Sequence, residues 1–170
     1  MLRYFTAGES HGEALIARTK DAFDQAIPSA ASMAALLCLR LGGLTDPTLT
    51  VFGEKQLERI AAAAVENPFG MGQAVLGIHR LAKGSTDLVV VGPRDRAATL
   101  VQAAYGVYAP DRTIAWVDTA DAASVEVAKV LAEGKAGIEG EAVAYVCRGR
   151  TCSLPVRTPE ELVALLRAHG

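Results

Sequence analysis

Apolar positions along this chain change their period near residue 84. Before it they recur three and four apart, as on one face of a helix; after it they gather in short unbroken runs between turn residues. The first helical signal begins at Pro28, with Ser29 as cap and Met33, Leu36, Leu37, Arg40 and Leu41 at helical spacing. Gly42-Gly43 is read as its end and Asp46-Pro47 as a turn. Residues 52–66 predict a second helix, with Leu57, Ile60, Ala61, Ala64 and Val65 inward and Glu54, Lys55, Glu58 and Arg59 outward. Asn67-Pro68 breaks it, and residues 69–82 predict a third. Gly70, Gly72 and Gly77 there point to close helix–helix approach, or to a shorter helix, because a glycine in a helix interior costs about 1 kcal/mol relative to alanine.

The second half alternates. Strands are predicted at 86–92, 112–117 and 142–147, with a short extended return at 151–156; helices are predicted at about 94–107, 121–133 and 159–168. Thr158, Pro159 and Glu161 spell a helix start: cap, first-turn proline and the reciprocal acid of a capping box. An uninterrupted run such as Leu88-Val89-Val90-Val91 suits a strand buried on both faces. The expected fold is α/β: N-terminal helical hairpins followed by a small, mainly parallel three- or four-stranded sheet with crossover helices. The chain is divided into a leader at 1–17, helical hairpins at 18–83 and a small α/β unit at 84–170.

Composition changes that picture in one respect. Hydrophobic residues reach 51%, but 31 of the 170 residues are alanine and aromatics are 5%, so each helix buries little area. A core of this kind calls for a partner surface, and a homo-oligomer, most simply a dimer, is expected. Leu37, Leu41, Leu57, Ile60 and Val65 are the candidate contact faces. Basic and acidic residues, 17 and 19, nearly cancel without long runs, which argues against nucleic acid and anionic membrane as partners. No apolar stretch reaches the roughly 18 residues of a membrane span. Residues 1–17 lack the unbroken apolar core of a signal peptide. With three cysteines, reduced thiols and a cytoplasmic location are expected.

In an open parallel sheet, ligands bind beyond the carboxyl ends of the strands. Here those ends carry Arg94 and Asp95, then Asp118, then Cys147 through Cys152. Cys147, Cys152, Asp118 and Arg94 are therefore the candidate catalytic residues, with a small anion as a ligand the arginines would favour. Arg148 and Arg150 flank the thiols and favour thiolate. The four residues between the cysteines match neither the redox C-x-x-C nor a zinc ribbon, and a tight turn through Gly149 would bring the sulfurs close enough to oxidise. Cys38, in an apolar helix, reads as an inert buried thiol. His11, His79 and His169 are scattered, so no metal site is expected, and the glycine spacing supports no nucleotide fingerprint and no cofactor.

Two resemblances add to this reading. Residues 1–17, through Thr6-Ala7-Gly8-Glu9-Ser10-His11-Gly12, resemble the start of chorismate synthase, where the motif's histidine does acid–base work beside a reduced flavin. The likeness stops near Ala17, and the rest of that site has no counterpart. From Arg18 onward the chain looks like the C-terminal part of the thioredoxin-domain-containing family that includes the spermatogenesis-associated proteins. The matching stretches are Lys20 to Asp24, Ala26 to Ser29, Leu88 to Gly92, and Ala144 to Cys147 with Thr151, Cys152 and Pro155. That resemblance implies a thioredoxin-like domain followed by an (α/α) barrel in full members, most of it absent here. It also implies a departure at Pro28-Ser29-Ala30-Ala31, where family members read Pro-Ser-Gly-Asn. Two segments of unlike origin, joined near Ala17, imply a chimera.

Two functions fit these features. One is a fragment of that larger family with no or weak inherited activity. The other is a thiol-dependent hydrolase or redox protein that uses the cluster around Cys147 and Cys152.

Overall fold

The computed structural model describes residues 22–149 and 151–168. The chain divides into two compact units, one ending at Lys83 and the other running from Gly84, with Gly43–Thr45 belonging to the second. The leader, His11, Arg150 and His169 lie outside the described residues.

The first unit is helical: α1 (Ala30–Leu44), α2 (Pro47–Glu66), a single 3-10 turn (Phe69–Met71) and α3 (Gly72–Lys83). Ser29 caps α1 as expected, its Oγ accepting the Ser32 N–H at 3.2 Å. The helix runs through Gly42-Gly43 to Leu44. α2 starts five residues before the apolar pattern does, because Asp46-Pro47 is a helix start and not a free turn. Asp46 Oδ1 accepts the Thr48 N–H at 2.9 Å, with Pro47 in the first helical position, where its missing N–H has no partner to lose. The core joins Ala35 and Leu39 of α1, Leu57 and Ala64 of α2, and Met71 and Ala74, with Ile60 packed at its margin. Val65, eight positions from Leu57 and so about 80° round the helix, misses that face and is exposed.

Asp24 ties this unit together. Its Oδ1 accepts the Ser29 N–H at 2.8 Å and its Oδ2 accepts the Gln73 N–H at 2.7 Å, while its own N–H donates to Gly70 O at 2.8 Å. One carboxylate thus covers orphan donors at the starts of both α1 and α3.

The second unit is a four-stranded sheet with helices on both faces. Its elements are β1 (Thr86–Val91), α4 (Arg94–Tyr105), β2 (Thr113–Val117), α5 (Ala122–Val127), α6 (Lys129–Ala132), β3 (Val143–Arg148), β4 (Thr151–Cys152) and α7 (Pro159–Ala168). Leu88, Val90, Ala144 and Val146 face α4 and α7 through Ala97, Leu100, Leu162 and Leu166. Val89, Val91, Val117 and Val143 face the opposite side, against Ala128 and the partly buried Ile138. Residues 88–91 are all at most 1% exposed, which is why the run shows no alternation. The predicted helix at 121–133 is broken at Ala128 into two short pieces.

The expectation of a mainly parallel sheet is corrected. Strand order is β2-β1-β3-β4, and only β1 and β2 are parallel; β3 runs antiparallel to β1, and β4 antiparallel to β3. The cause lies after α6. Residues 135–142 carry the chain back to the edge that β2 had reached, so β3 enters with Val143 opposite Val91. Gly137 packs on Val91 and Thr119 on the way, and an Ile138–Glu141 bridge closes the turn. Burial on both faces requires a central strand, not a parallel one, and the apolar run carries no information on direction.

Candidate functional site

Reversal of β3 separates the four candidate catalytic residues into two pairs. Arg94 and Asp118 follow the carboxyl ends of β1 and β2. Cys147 is register partner of Asp87, at the other end of β1. Four residue steps of strand, about 13 Å, separate Asp87 from Val91. The single-edge cluster of Cys147, Cys152, Asp118 and Arg94 does not form.

At the carboxyl end, the two residues are occupied by the fold. Arg94 lies over the Trp116 ring, 5.9 Å from its centroid, and Trp116 Nε1 donates to Gly92 O at 2.9 Å. Asp118 Oδ1 accepts the Ala120 N–H at 3.0 Å, and its backbone N–H donates to Ser124 Oγ at 3.0 Å. Beside them opens a cleft of about 660 Å³ that contains Asp95, Arg96, Thr99, Glu139, Glu141 and Arg157 in its lining. Its two arginines already face carboxylates: Arg96 Nε lies 3.9 Å from Asp95 and Arg157 Nη1 lies 3.5 Å from Glu141. A small anion would meet three carboxylates against two guanidinium groups there.

At the other end, Cys147 and Cys152 are joined in a disulfide with their Cα atoms 3.9 Å apart. The two residues are directly opposed across the β3–β4 hairpin, whose loop begins at Gly149 with φ +59°. A positive φ at that position suits the tight turns that match strand twist. The expected approach of the two sulfurs is thus present. The expectation of reduced thiols is corrected for this pair; Cys38, buried in α1, is outside the disulfide. A disulfide offers no thiolate, so a hydrolase built on either sulfur lacks its nucleophile.

Asp87 is a neighbour that the sequence reading did not select. Register partners in an antiparallel pair share a face, so Asp87, Cys147 and Cys152 form a row across β1, β3 and β4. Lys135 stands near that row: burial holds its ammonium below the ordinary value, while Asp87 and Glu133 draw it back up. Period-two spacing groups Asp87 with Val89 and Val91, but its pairing with Cys147 depends on strand direction, which the sequence pattern does not carry. Among the described residues, no three or more His, Cys, Asp or Glu side chains are gathered where they would hold a metal ion.

The chain is similar to spermatogenesis-associated protein 20 from Homo sapiens, at 29% identity over 174 aligned residues, covering 96% of this chain and 21% of that protein. The Rattus norvegicus counterpart is 26% identical with the same coverage. The chain therefore spans about a fifth of the length of these curated relatives. The likeness leaves 4% of 170 residues unmatched, about seven, so it reaches into residues 1–17. That argues against a foreign leader ending at residue 17. Neither relative is a chorismate synthase, and nothing found points to a thioredoxin. No family model matches the chain. No solved structure matches it either.

Proposed function

We propose that this chain acts as a folded α/β segment of a longer protein of the kind these relatives represent, contributing surface and stability with no hydrolytic centre of its own. The alignment carries the reading: nearly the whole chain is matched, against about a fifth of each relative. The engagement of Arg94, Asp118 and both hairpin cysteines in the fold supports it. The test is turnover. Purified chain given p-nitrophenyl esters and phosphates is expected to release no more product than buffer. Release that disappears in the Cys147→Ser variant would restore the hydrolase reading.

Self-association belongs to the same proposal. α1 is apolar on both sides: Ala35, Leu36 and Leu39 are buried, while Met33, Leu37 and Leu41 are 45%, 53% and 37% exposed. A two-fold axis sets a patch against itself, so a charged patch repels its copy and an uncharged one does not. The Met33–Leu37–Leu41 stripe holds no charge. Leu57, offered above as a contact, is instead in the core of its own unit, and Ile60 is half-buried there. Light scattering at micromolar concentration is expected to give the mass of a dimer; a monomer overturns this part.

No helix among the described residues is long and apolar enough to cross a membrane. A cytoplasmic location stays within the proposal, and it requires the disulfide to be one that forms and opens, since reducing compartments rarely keep a static bridge.

A further inference from the structure

The two sulfurs of the Cys147–Cys152 bridge stand in different surroundings. Cys147 belongs to β3, flanked by β1 and β4, and is 2% exposed. Cys152 belongs to β4, the outermost strand on that side, and is exposed. A thiol arriving from solvent therefore meets Cys152 before Cys147, and access decides which sulfur is attacked.

The hairpin is also held without the bridge. Arg148 pairs with Thr151, the Ser153 N–H donates to Val146 O at 2.8 Å, and the Val146 N–H donates to Ser153 Oγ at 3.1 Å. The Ala144–Val156 bridge anchors the strand's continuation, with hydrogen bonds of 2.8 and 2.9 Å. Opening the disulfide leaves these contacts in place, so reduction need not unfold the sheet. Exposed bridges of this type are the exchangeable ones, whereas buried bridges resist reduction.

We propose that Cys147–Cys152 is a thiol–disulfide exchange site that accepts two electrons from a dithiol, with Cys152 as the attacked sulfur. The donor's thiolate forms a new S–S bond to Cys152 Sγ. The Cys147–Cys152 bond breaks, and Cys147 leaves with its electron pair and takes up a proton. The donor's second thiol loses its proton and attacks the donor sulfur of the mixed disulfide. Cys152 then leaves as thiolate and is protonated. The donor ends as a disulfide and the chain as two thiols, and an oxidised donor runs the sequence backwards. Cys38, buried in the first unit, takes no part. This inference is independent of the absence of hydrolytic activity proposed above.

The test uses the full chain, with dithiothreitol as the dithiol probe and glutathione as the monothiol. Reaction of folded protein is quenched with N-ethylmaleimide and mapped by peptide mass spectrometry. Dithiothreitol is expected to open the bond while circular dichroism stays native, and the trapped glutathione adduct is expected on Cys152 over Cys147 by about tenfold or more. In single variants, Cys152 of Cys147→Ser should label about tenfold faster than Cys147 of Cys152→Ser. A bond that opens only when urea unfolds the chain, or an adduct on Cys147 at equal or greater yield, overturns the proposal.

Discussion

Leu57 of α2 and Gly77 of α3 meet with no room for another atom: a Cβ built on Gly77 would lie 2.8 Å from Leu57 Cδ1. Leu57 is 1% exposed, so its side chain has nowhere to retreat. Gly77→Val is expected to destabilise the chain by about 1–3 kcal/mol, the usual range for overpacking. Leu57→Ala alone should cost about 2–5 kcal/mol. In the double variant the two losses should not add, because the alanine vacates the space the valine needs. Urea denaturation of the four proteins measures the coupling; strict additivity would place the contact elsewhere.

Asp24 offers a second test, on hydrogen bonding. Asp24→Ala removes both acceptors for Ser29 and Gln73 and leaves two helix starts without their covering carboxylate. A loss of about 1.5–3 kcal/mol is expected, in the range for a bond to a charged group. Asp24→Asn keeps one side-chain oxygen and should fall between the alanine variant and the parent. The same denaturation curves read it, and equal stability of all three would remove Asp24 from the fold's support.

Gly92 tests the turn after β1. Its φ of +142° lies where residues other than glycine are strained, and a Cβ there would stand 2.7 Å from Ala142 Cα, a backbone atom that cannot swing aside. Gly92→Ala is expected to lose about 1–3 kcal/mol from strain alone. Thermal unfolding should show a clear fall in Tm, in contrast with Gly84→Ala, where the added Cβ meets nothing within 4 Å. Gly84 also has positive φ, at +79°, closer to the left-handed region that other residues visit, so the excess at Gly92 reports its more extreme φ together with the clash.

The start of α7 gives a pH dependence. Glu161 Oε2 accepts the N–H groups of Arg157 at 3.1 Å and Thr158 at 3.3 Å, while Thr158 Oγ1 accepts the Glu161 N–H at 3.2 Å. Those bonds, the Arg157 one foremost, hold the carboxyl below its ordinary value of 4.5. A carboxyl depressed in the folded state contributes stability above 4.5, and that contribution disappears as pH falls through the folded value. Parent and Glu161→Gln should therefore differ in Tm at neutral pH and converge under strong acid. A difference that grows on acidification would contradict the sign.

Much of this architecture is legible in local chemistry. Thr158, Pro159 and Glu161 name the start of α7 to the residue, and Ser29 names that of α1. The runs at 86–92, 112–117 and 142–147 name the three long strands to within a residue at each end. Strand direction escapes, because Leu88 to Val91 would read alike in either sense. That one ambiguity undoes the candidate site: reversing β3 takes Cys147 from Arg94 and sets it beside Asp87. Asp24 escapes for another reason. Its partner Gln73 is 49 positions away, and capping rules look only three or four residues ahead.

Ser124 holds the far side of the sheet. Its Oγ lies 3.4 Å from Trp116 O, to which it donates, and accepts the Asp118 N–H at 3.0 Å, the two backbone groups that β2 turns away from β1 at its carboxyl end. The opposite border is β4, only two residues long and followed at residue 155 by a proline, which has no N–H to offer. A strand from another molecule seeking to extend the sheet would find two hydrogen-bonding positions at the carboxyl end of β2 already engaged, and on the other side a strand that soon runs out. The sheet thus offers an added strand little length at β4 and an interrupted edge at β2, although half the chain is hydrophobic.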